Sequence, residues 1–231
     1  IDVEGGWKFI PESPYIASLY VGNYLRVRHW DPMREAIPRY DGTWEICVVT
    51  VQTWEMLQKT YEMVSQYAHD FQTIVIDSVS ELQRRLRDNI NNTRNTDEMR
   101  HQDWGAMLIR MDKALRGLRD QILCSTCPVR VAVFIAETKL MDGKWRPSMQ
   151  GQITNTLPYW FDIVGYYQPI PILDQNGQYS QTEFIRRLWV VPRPEFIAGE
   201  RVQGRLGAYI DSPNLTQMLY QVYPSLTAGS N

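Results

Sequence analysis

The sequence predicts an α/β fold: a layered sheet, mostly parallel, with right-handed crossovers and an antiparallel hairpin at its C-terminal side. Three observations predict it. Two short apolar runs, Gln72-Thr73-Ile74-Val75-Ile76-Asp77-Ser78 and Val129 to Ala136, each lead into polar groups. Such runs read as strands buried on both faces, as in a parallel sheet. Around them lie stretches whose apolar residues recur at helical spacing. Finally, Asn176-Gly177, a hairpin signal, separates two more strand-like runs, Asp162 to Tyr167 and Glu183 to Val191.

Taken in order, Ile1-Asp2-Val3-Glu4 reads as the end of a strand before Gly5-Gly6, so a further piece of the fold is expected upstream of this numbering. Residues 7–45 are irregular and carry Trp7, Trp30 and Trp44, with Asp41-Gly42 as a turn signal; they read as a compact insertion packed by its aromatics. Ile46 to Val51 reads as a strand. Thr53 is expected to cap a helix through about Tyr67, with Trp54, Leu57, Tyr61, Val64 and Ala68 on its apolar face. After the Asp77 strand, Ser80 with Gln83 reads as a capping box. The helix expected over about 81–91 presents Leu82, Leu86 and Ile90, with Arg84, Arg85 and Arg87 elsewhere on its circumference.

Asn91 to Gln102 is polar and reads as an exposed loop. Asp103 is expected to cap a helix through about Ile122, whose stripe includes Met107, Met111, Leu115 and Leu118. Residues 139–157 read as a loop. Arg193, Arg201 and Arg205 lie in a Gly/Pro-containing stretch, and residues 212–231 read as a tail with little pattern.

At 231 residues one domain is the default, with room for a sizeable core. The formal net charge is −2, so any nucleic-acid surface must be local rather than global. The three cysteines, Cys47, Cys124 and Cys127, are an odd, low count that fits a reducing, cytoplasmic interior better than a disulfide framework. Cys124 and Cys127 form a lone C-x-x-C, weak evidence for zinc without a second ligand pair. No run is long and apolar enough to cross a membrane, and no signal peptide is visible.

A parallel sheet places whatever lies at the carboxyl ends of its strands in the ligand crevice. Asp77 is at such an end, with Ser78 beside it. One carboxylate plus phosphate oxygens is how Mg²⁺ is commonly held. The plainer reading, an aspartate that only caps the following helix, stays open. Lys139, Lys144 and Arg146 flank Trp145, the combination a sequence-tolerant single-strand binder uses; a solvated loop with a buried Trp stays open beside it. Arg186 and Arg187 are adjacent in a strand pattern, so at most one faces any given side.

Polar groups thus end three strand-like runs: Glu4, Asp77, and Glu137 with Thr138. In that order they resemble the RecA-like P-loop ATPases, most closely the phage nucleotide-binding proteins of AAA-like type, which include single-strand-annealing recombinases. Ile1-Asp2-Val3-Glu4-Gly5-Gly6, Ile74-Val75-Ile76-Asp77-Ser78, Gln102-Asp103-Trp104-Gly105 and Val133-Phe134-Ile135-Ala136-Glu137 carry the resemblance, extended by Gly151 and by Arg201 to Arg205. It covers most of residues 1–6 and 46–211.

The resemblance implies a RecA-like core over 1–211, ATP and Mg²⁺ as cofactors, single-stranded DNA as partner, and self-association into a ring or filament. Glu4 matches the carboxylate that activates the attacking water. Asp77 matches the Walker B carboxylate near Mg²⁺, with Ser78 beside it. Glu137 and Thr138 stand where the family has a polar γ-phosphate sensor. The loop before Asp103 and the loop after Lys139 match the two DNA-facing loops. One of Arg193, Arg201 or Arg205 matches an arginine acting on a neighbouring subunit's nucleotide. The sequence departs from the family in one respect: no G-x-x-x-x-G-K-[ST] occurs within it. Three readings therefore compete: an ATPase working on DNA, a RecA-like binding or structural protein without catalysis, and a nucleotide kinase, whose lid and acceptor site the sequence does not display.

Overall fold

The structure is a computed structural model, and it describes residues 1–4, 26–173, 177–202 and 204–224. The chain divides into two compact units: Ile1–Glu137 with Pro147–Ile153, and Thr138–Arg146 with Thr154–Asn231.

Among the described residues of the first unit every strand pairing is parallel. Strands β1 (Val27–His29) and β2 (Ile46–Val48) pair in register Val27↔Ile46, and β3 (Thr73–Asp77) pairs β4 (Val131–Ile135) in register Thr73↔Val131. The N-terminal residues join the two pairs. Asp2 bridges Thr50 on one side and Asp77 on the other, Asp2 N donating to Val49 O at 2.8 Å and Asp77 N to Ile1 O at 3.0 Å. The strand-end reading of Ile1 to Glu4 thus places this segment between β2 and β3.

Three helices follow from local sequence. Helix α1 (Trp54–Val64) starts where Thr53 Oγ1 accepts Met56 N at 3.3 Å, the cap read from the sequence. Helix α2 (Val79–Arg94) is longer than expected and is capped by Ser78, not Ser80: Ser78 Oγ accepts Glu81 N at 3.2 Å. Ser80 lies inside the helix and accepts Glu137 N at 3.1 Å, so no Ser80–Gln83 box forms. The expected 91–102 loop is accordingly short. Asn95 closes α2 in the left-handed conformation that Asn tolerates, and helix α3 (His101–Asp120) begins six residues later.

Asp103 does not cap α3 from outside. It sits in the first turn and its Oδ2 reaches back to accept Arg100 N at 2.9 Å, while Arg94 forms an ion pair with the same oxygen. At 2% exposure this carboxylate ties the end of α2 to the start of α3. Asp103→Ala is expected to lower unfolding free energy by roughly 1.5–3 kcal/mol, the worth of hydrogen bonds to a charged group; a denaturant titration measures it. The stripes Leu82, Leu86 and Met107, Met111, Leu115, Leu118 are fully buried. Gly151, at φ +73, has only 2.7 Å between a Cβ built on it and Leu108 Cδ1, so this approach to α3 requires glycine.

One expectation fails in an informative way. β3 is not covered on both faces: Ile74 and Ile76 are buried, but Val75 is 38% exposed. β4 is nowhere fully buried, and Ile135 is 43% exposed. Among the described residues β4 pairs only with β3. A cavity of about 1010 Å³ lies over this unit, reached by Ile1, Trp30, Trp44, Cys47, Val75 and Ile135. Of the insertion's aromatics, Trp30 and Trp44 are buried, Trp44 edge-on to Tyr40 at 5.3 Å; Trp7 lies outside the described residues.

In the second unit, β5 (Thr138–Met141) and β6 (Lys144–Pro147) form a two-stranded sheet joined by Asp142-Gly143, both at positive φ as a two-residue hairpin turn needs. The expected 139–157 loop is therefore largely ordered, ending in helix α4 (Ile153–Thr156). Strand β7 (Ile163–Val164) pairs antiparallel with β10 (Gly199–Glu200). Strands β8 (Tyr166–Leu173), β9 (Tyr179–Trp189) and β11 (Tyr209–Asp211) make an antiparallel sheet in the order β11-β9-β8. Asn176 lies outside the described residues. The stretch read as patternless contains helix α5 (Leu215–Val222), capped by Asn214 and packed through Met218 and Val222 on Val190 and Leu206.

Candidate functional site

Asp77, Ser78 and Glu4 converge at the carboxyl ends of the parallel strands. The ladder fixes them: Val3 N donates to Asp77 O at 2.6 Å, which brings the residue after Val3 level with the residue after Asp77. Ser78 Oγ donates a hydrogen bond to Glu4 Oε1, and the Asp77–Ser78 peptide is cis. Ser78 thus serves twice, capping α2 and holding Glu4. Of the two readings left open by the sequence, the structure does not bear out the cap: Ser78, not Asp77, caps α2, so the Asp77 carboxylate is not used as one.

The electrostatics are those of crowded acids. Burial, then the neighbouring Glu4 and Asp2 carboxylates, push the Asp77 carboxyl above its ordinary range. Asp2, 5% exposed, was not singled out by sequence reading. Such a cluster favours a cation. Among the described residues no three His, Cys, Asp or Glu side chains group as a metal cage. A single carboxylate of this kind suits Mg²⁺ held mostly by water and phosphate oxygens, so the donor set fits that ion.

Glu137 follows β4 just beyond its end and is committed elsewhere. Arg84 Nη1 donates to Glu137 Oε1 at 2.8 Å and Nη2 to Oε2 at 2.5 Å, a bidentate pair that Glu81 extends at 2.9 Å. The Arg84 hydrogen bonds hold the Glu137 carboxyl below the usual carboxylate range. Arg84 is a second residue that sequence reading missed, because nothing local signals a partner 53 positions away. Ser148 N also donates to Glu137 O at 2.7 Å.

The family described as an AAA domain matches residues 38–202. The chain belongs to this AAA domain family. The match spans both units, from the insertion's end to beyond β10, and it carries with it an ATPase-like, nucleotide-binding function. No curated protein and no solved structure matches the chain. No helix among the described residues is long and apolar enough to cross a membrane.

The other site residues expected from the sequence lie in the second unit. Thr138 opens β5 and is exposed. Lys144, Trp145 and Arg146 are consecutive in β6, so Trp145 faces opposite to Lys144 and Arg146. Trp145 is 38% exposed, which removes the buried-Trp reading, and its backbone is held by Glu195 O at 2.7 Å. Arg146 Nη1 donates to Asn155 Oδ1 at 2.6 Å. Lys139 lies in β5 and is half-buried.

Arg205 donates to Val222 O, closing the C-terminal end of α5, and Arg201 donates to Tyr159 O. Arg193 sits over the Trp189 ring at 4.8 Å. Arg187 pairs with Asp211 at 2.7 Å and stacks on Tyr209 at 3.8 Å. Each of these arginines has structural work within its own unit.

Proposed function

We propose that this AAA domain is the catalytic core of a Mg²⁺-dependent ATPase of RecA-like type that acts on single-stranded DNA. The observation that carries it is the meeting of Glu4, Asp77 and Ser78 at the strand ends, linked by the Ser78–Glu4 hydrogen bond. In this reading Asp77 holds Mg²⁺, which supplies charge neutralisation for the phosphates. Ser78 keeps Glu4 in one rotamer. Glu4's second oxygen, Oε2, then orients the attacking water and accepts its proton.

No Walker A motif occurs in residues 1–231. Among the described residues β4 pairs only with β3, and Val75 and Ile135 are exposed, which supports a further strand and helix packing at that edge and over that face to carry a phosphate-binding loop near Asp77. The same missing motif favours a second reading, a RecA-like binding protein without catalysis. Assaying ATP hydrolysis by the full-length protein, with and without Mg²⁺, separates the two. Mg²⁺-dependent turnover is expected; nucleotide binding without turnover supports the second reading, and neither binding nor turnover refutes both.

The DNA-facing element in this reading is the β5–β6 hairpin. Lys144 and Arg146 share one side for phosphates, while exposed Trp145 offers a ring on the other. Replacing Lys144 and Arg146 together by Ala is expected to flatten the dependence of log affinity on log salt by about 1.4, at about 0.7 per phosphate contact on single strands. Fluorescence titration of single-stranded DNA at several salt concentrations reads this slope. An unchanged slope removes the hairpin's charges from DNA binding. Assembly into a ring or filament, with one of Arg193, Arg201 or Arg205 reaching a neighbour's nucleotide, belongs to the same reading and is tested by sedimentation with and without nucleotide.

A further inference from the structure

The C-x-x-C is not used by the site above, and its two thiols differ sharply in environment. Cys124 follows the 3-10 turn Gln121–Leu123 that ends α3. Cys127 N donates to Cys124 O at 3.2 Å, closing a turn over Cys124 to Cys127. The ends of such a turn lie within about 7 Å, Cα to Cα, which overlaps the span a disulfide bridges. Cys124 Sγ lies 3.1 Å from Thr126 Oγ1, a contact in which either atom can donate, and the Thr126 backbone N–H and the Tyr67 hydroxyl stabilise its thiolate as well. Tyr67 comes from a different element, just past α1, and is held at φ +58, a left-handed conformation that a tyrosine rarely adopts. Cys127 is fully buried, its thiol donating to Gln121 Oε1 at 3.5 Å.

We propose that Cys124 and Cys127 form a dithiol redox site, with half-exposed Cys124 as the thiol that attacks hydroperoxides and Cys127 as the thiol that resolves the product. In the first step the Cys124 thiolate attacks the terminal peroxide oxygen. An S–O bond forms, the O–O bond breaks, and the leaving alkoxide or hydroxide takes a proton, giving Cys124 sulfenic acid. In the second, the Cys127 thiol loses its proton as its sulfur attacks Cys124. The S–S bond forms and the S–O bond breaks, releasing water. The two thiols are oxidised by two electrons and the hydroperoxide is reduced.

The donors around Cys124 stabilise its thiolate, and they hold the thiol down to about 7, the Thr126 side-chain hydrogen bond contributing most. Cys47, by contrast, is pushed up to about 11 by burial. A thiol that ionises near ambient pH is the most effective attacker. The turn gives the resolving thiol its proximity, at the cost of drawing Cys127 out of its contact with Gln121.

The test uses the full-length protein and peptide mass mapping. Iodoacetamide should label Cys124 faster than Cys47, with a pH midpoint near 7 that moves up in Tyr67→Phe and Thr126→Val. Stoichiometric hydrogen peroxide should produce a Cys124–Cys127 disulfide, and in Cys127→Ser a sulfenic acid at Cys124 that dimedone traps. The Tyr67→Phe and Thr126→Val variants keep both thiols, so their melting temperatures separate a changed thiol from a changed fold. Labelling of Cys124 no faster than Cys47, or peroxide oxidation that leaves Cys124 and Cys127 as free thiols, overturns the proposal.

Discussion

In the full-length protein, Glu4→Gln is expected to lower ATP turnover by about 10²–10⁴-fold, the range that positioned general acid–base catalysis contributes. Nucleotide affinity should be retained. Gln keeps the length of Glu and still accepts the Ser78 hydroxyl through its carbonyl oxygen, so the local packing survives. What is lost is the basic oxygen that takes the water's proton. Ser78→Ala provides the contrast. It removes both the hold on Glu4 and the α2 cap, so it should lower turnover and cost about 1 kcal/mol of stability. Steady-state ATPase assays with equilibrium nucleotide binding distinguish the two variants. Full turnover in Glu4→Gln would remove Glu4 from the mechanism.

The largest effect on stability is expected at the buried stripe of α2. Leu86 is 0% exposed, in a helix that packs on both α1 and α3. Leu86→Ala should cost about 2–5 kcal/mol, because the removed atoms lose their burial and the cavity collapses only partly. For a chain of this size that corresponds to a melting temperature lower by roughly 4–20 °C. Ile109, 71% exposed on α3, is the control: Ile109→Ala should leave the melting temperature within a degree or two. Equal effects at the two positions would contradict the packing described.

Where sequence and structure agree, the signal is local. Thr53, one residue before an apolar periodic stretch, both reads as and is a cap. The Asp77 run reads as and is a parallel strand, paired with the second apolar run. The two cap errors share a cause. Ser78 and Ser80 both precede plausible helices, and the choice depends on where the strand's extended backbone ends, which side-chain pattern does not encode. Asp103 similarly bonds backward from inside α3 rather than forward from its cap position.

Other features were non-local. The Arg84–Glu137 pair joins α2 to the end of β4, and no spacing rule links those positions. The apolar runs around Val75 and Ile135 read as covered on both faces, yet both residues are substantially exposed here. The pattern asks for burial on that face that the described residues do not supply. Helix α5 was legible and overlooked: Leu215, Met218 and Val222 have helical spacing and Asn214 stands before them.

The proposed mechanism has Asp77 carrying a Mg²⁺ ion bound together with nucleotide. Its most direct test is a titration of nucleotide into the full-length protein and into Asp77→Asn, each with and without Mg²⁺. Asn keeps the shape and removes the charge. The wild type should bind more tightly when Mg²⁺ is present, and that gain should shrink as the pH is lowered, beginning above the pH at which an ordinary aspartate titrates, because the Asp77 carboxyl is raised. In Asp77→Asn the gain should vanish while Mg²⁺-free binding stays the same. A Mg²⁺ gain of equal size in both proteins would contradict the assignment.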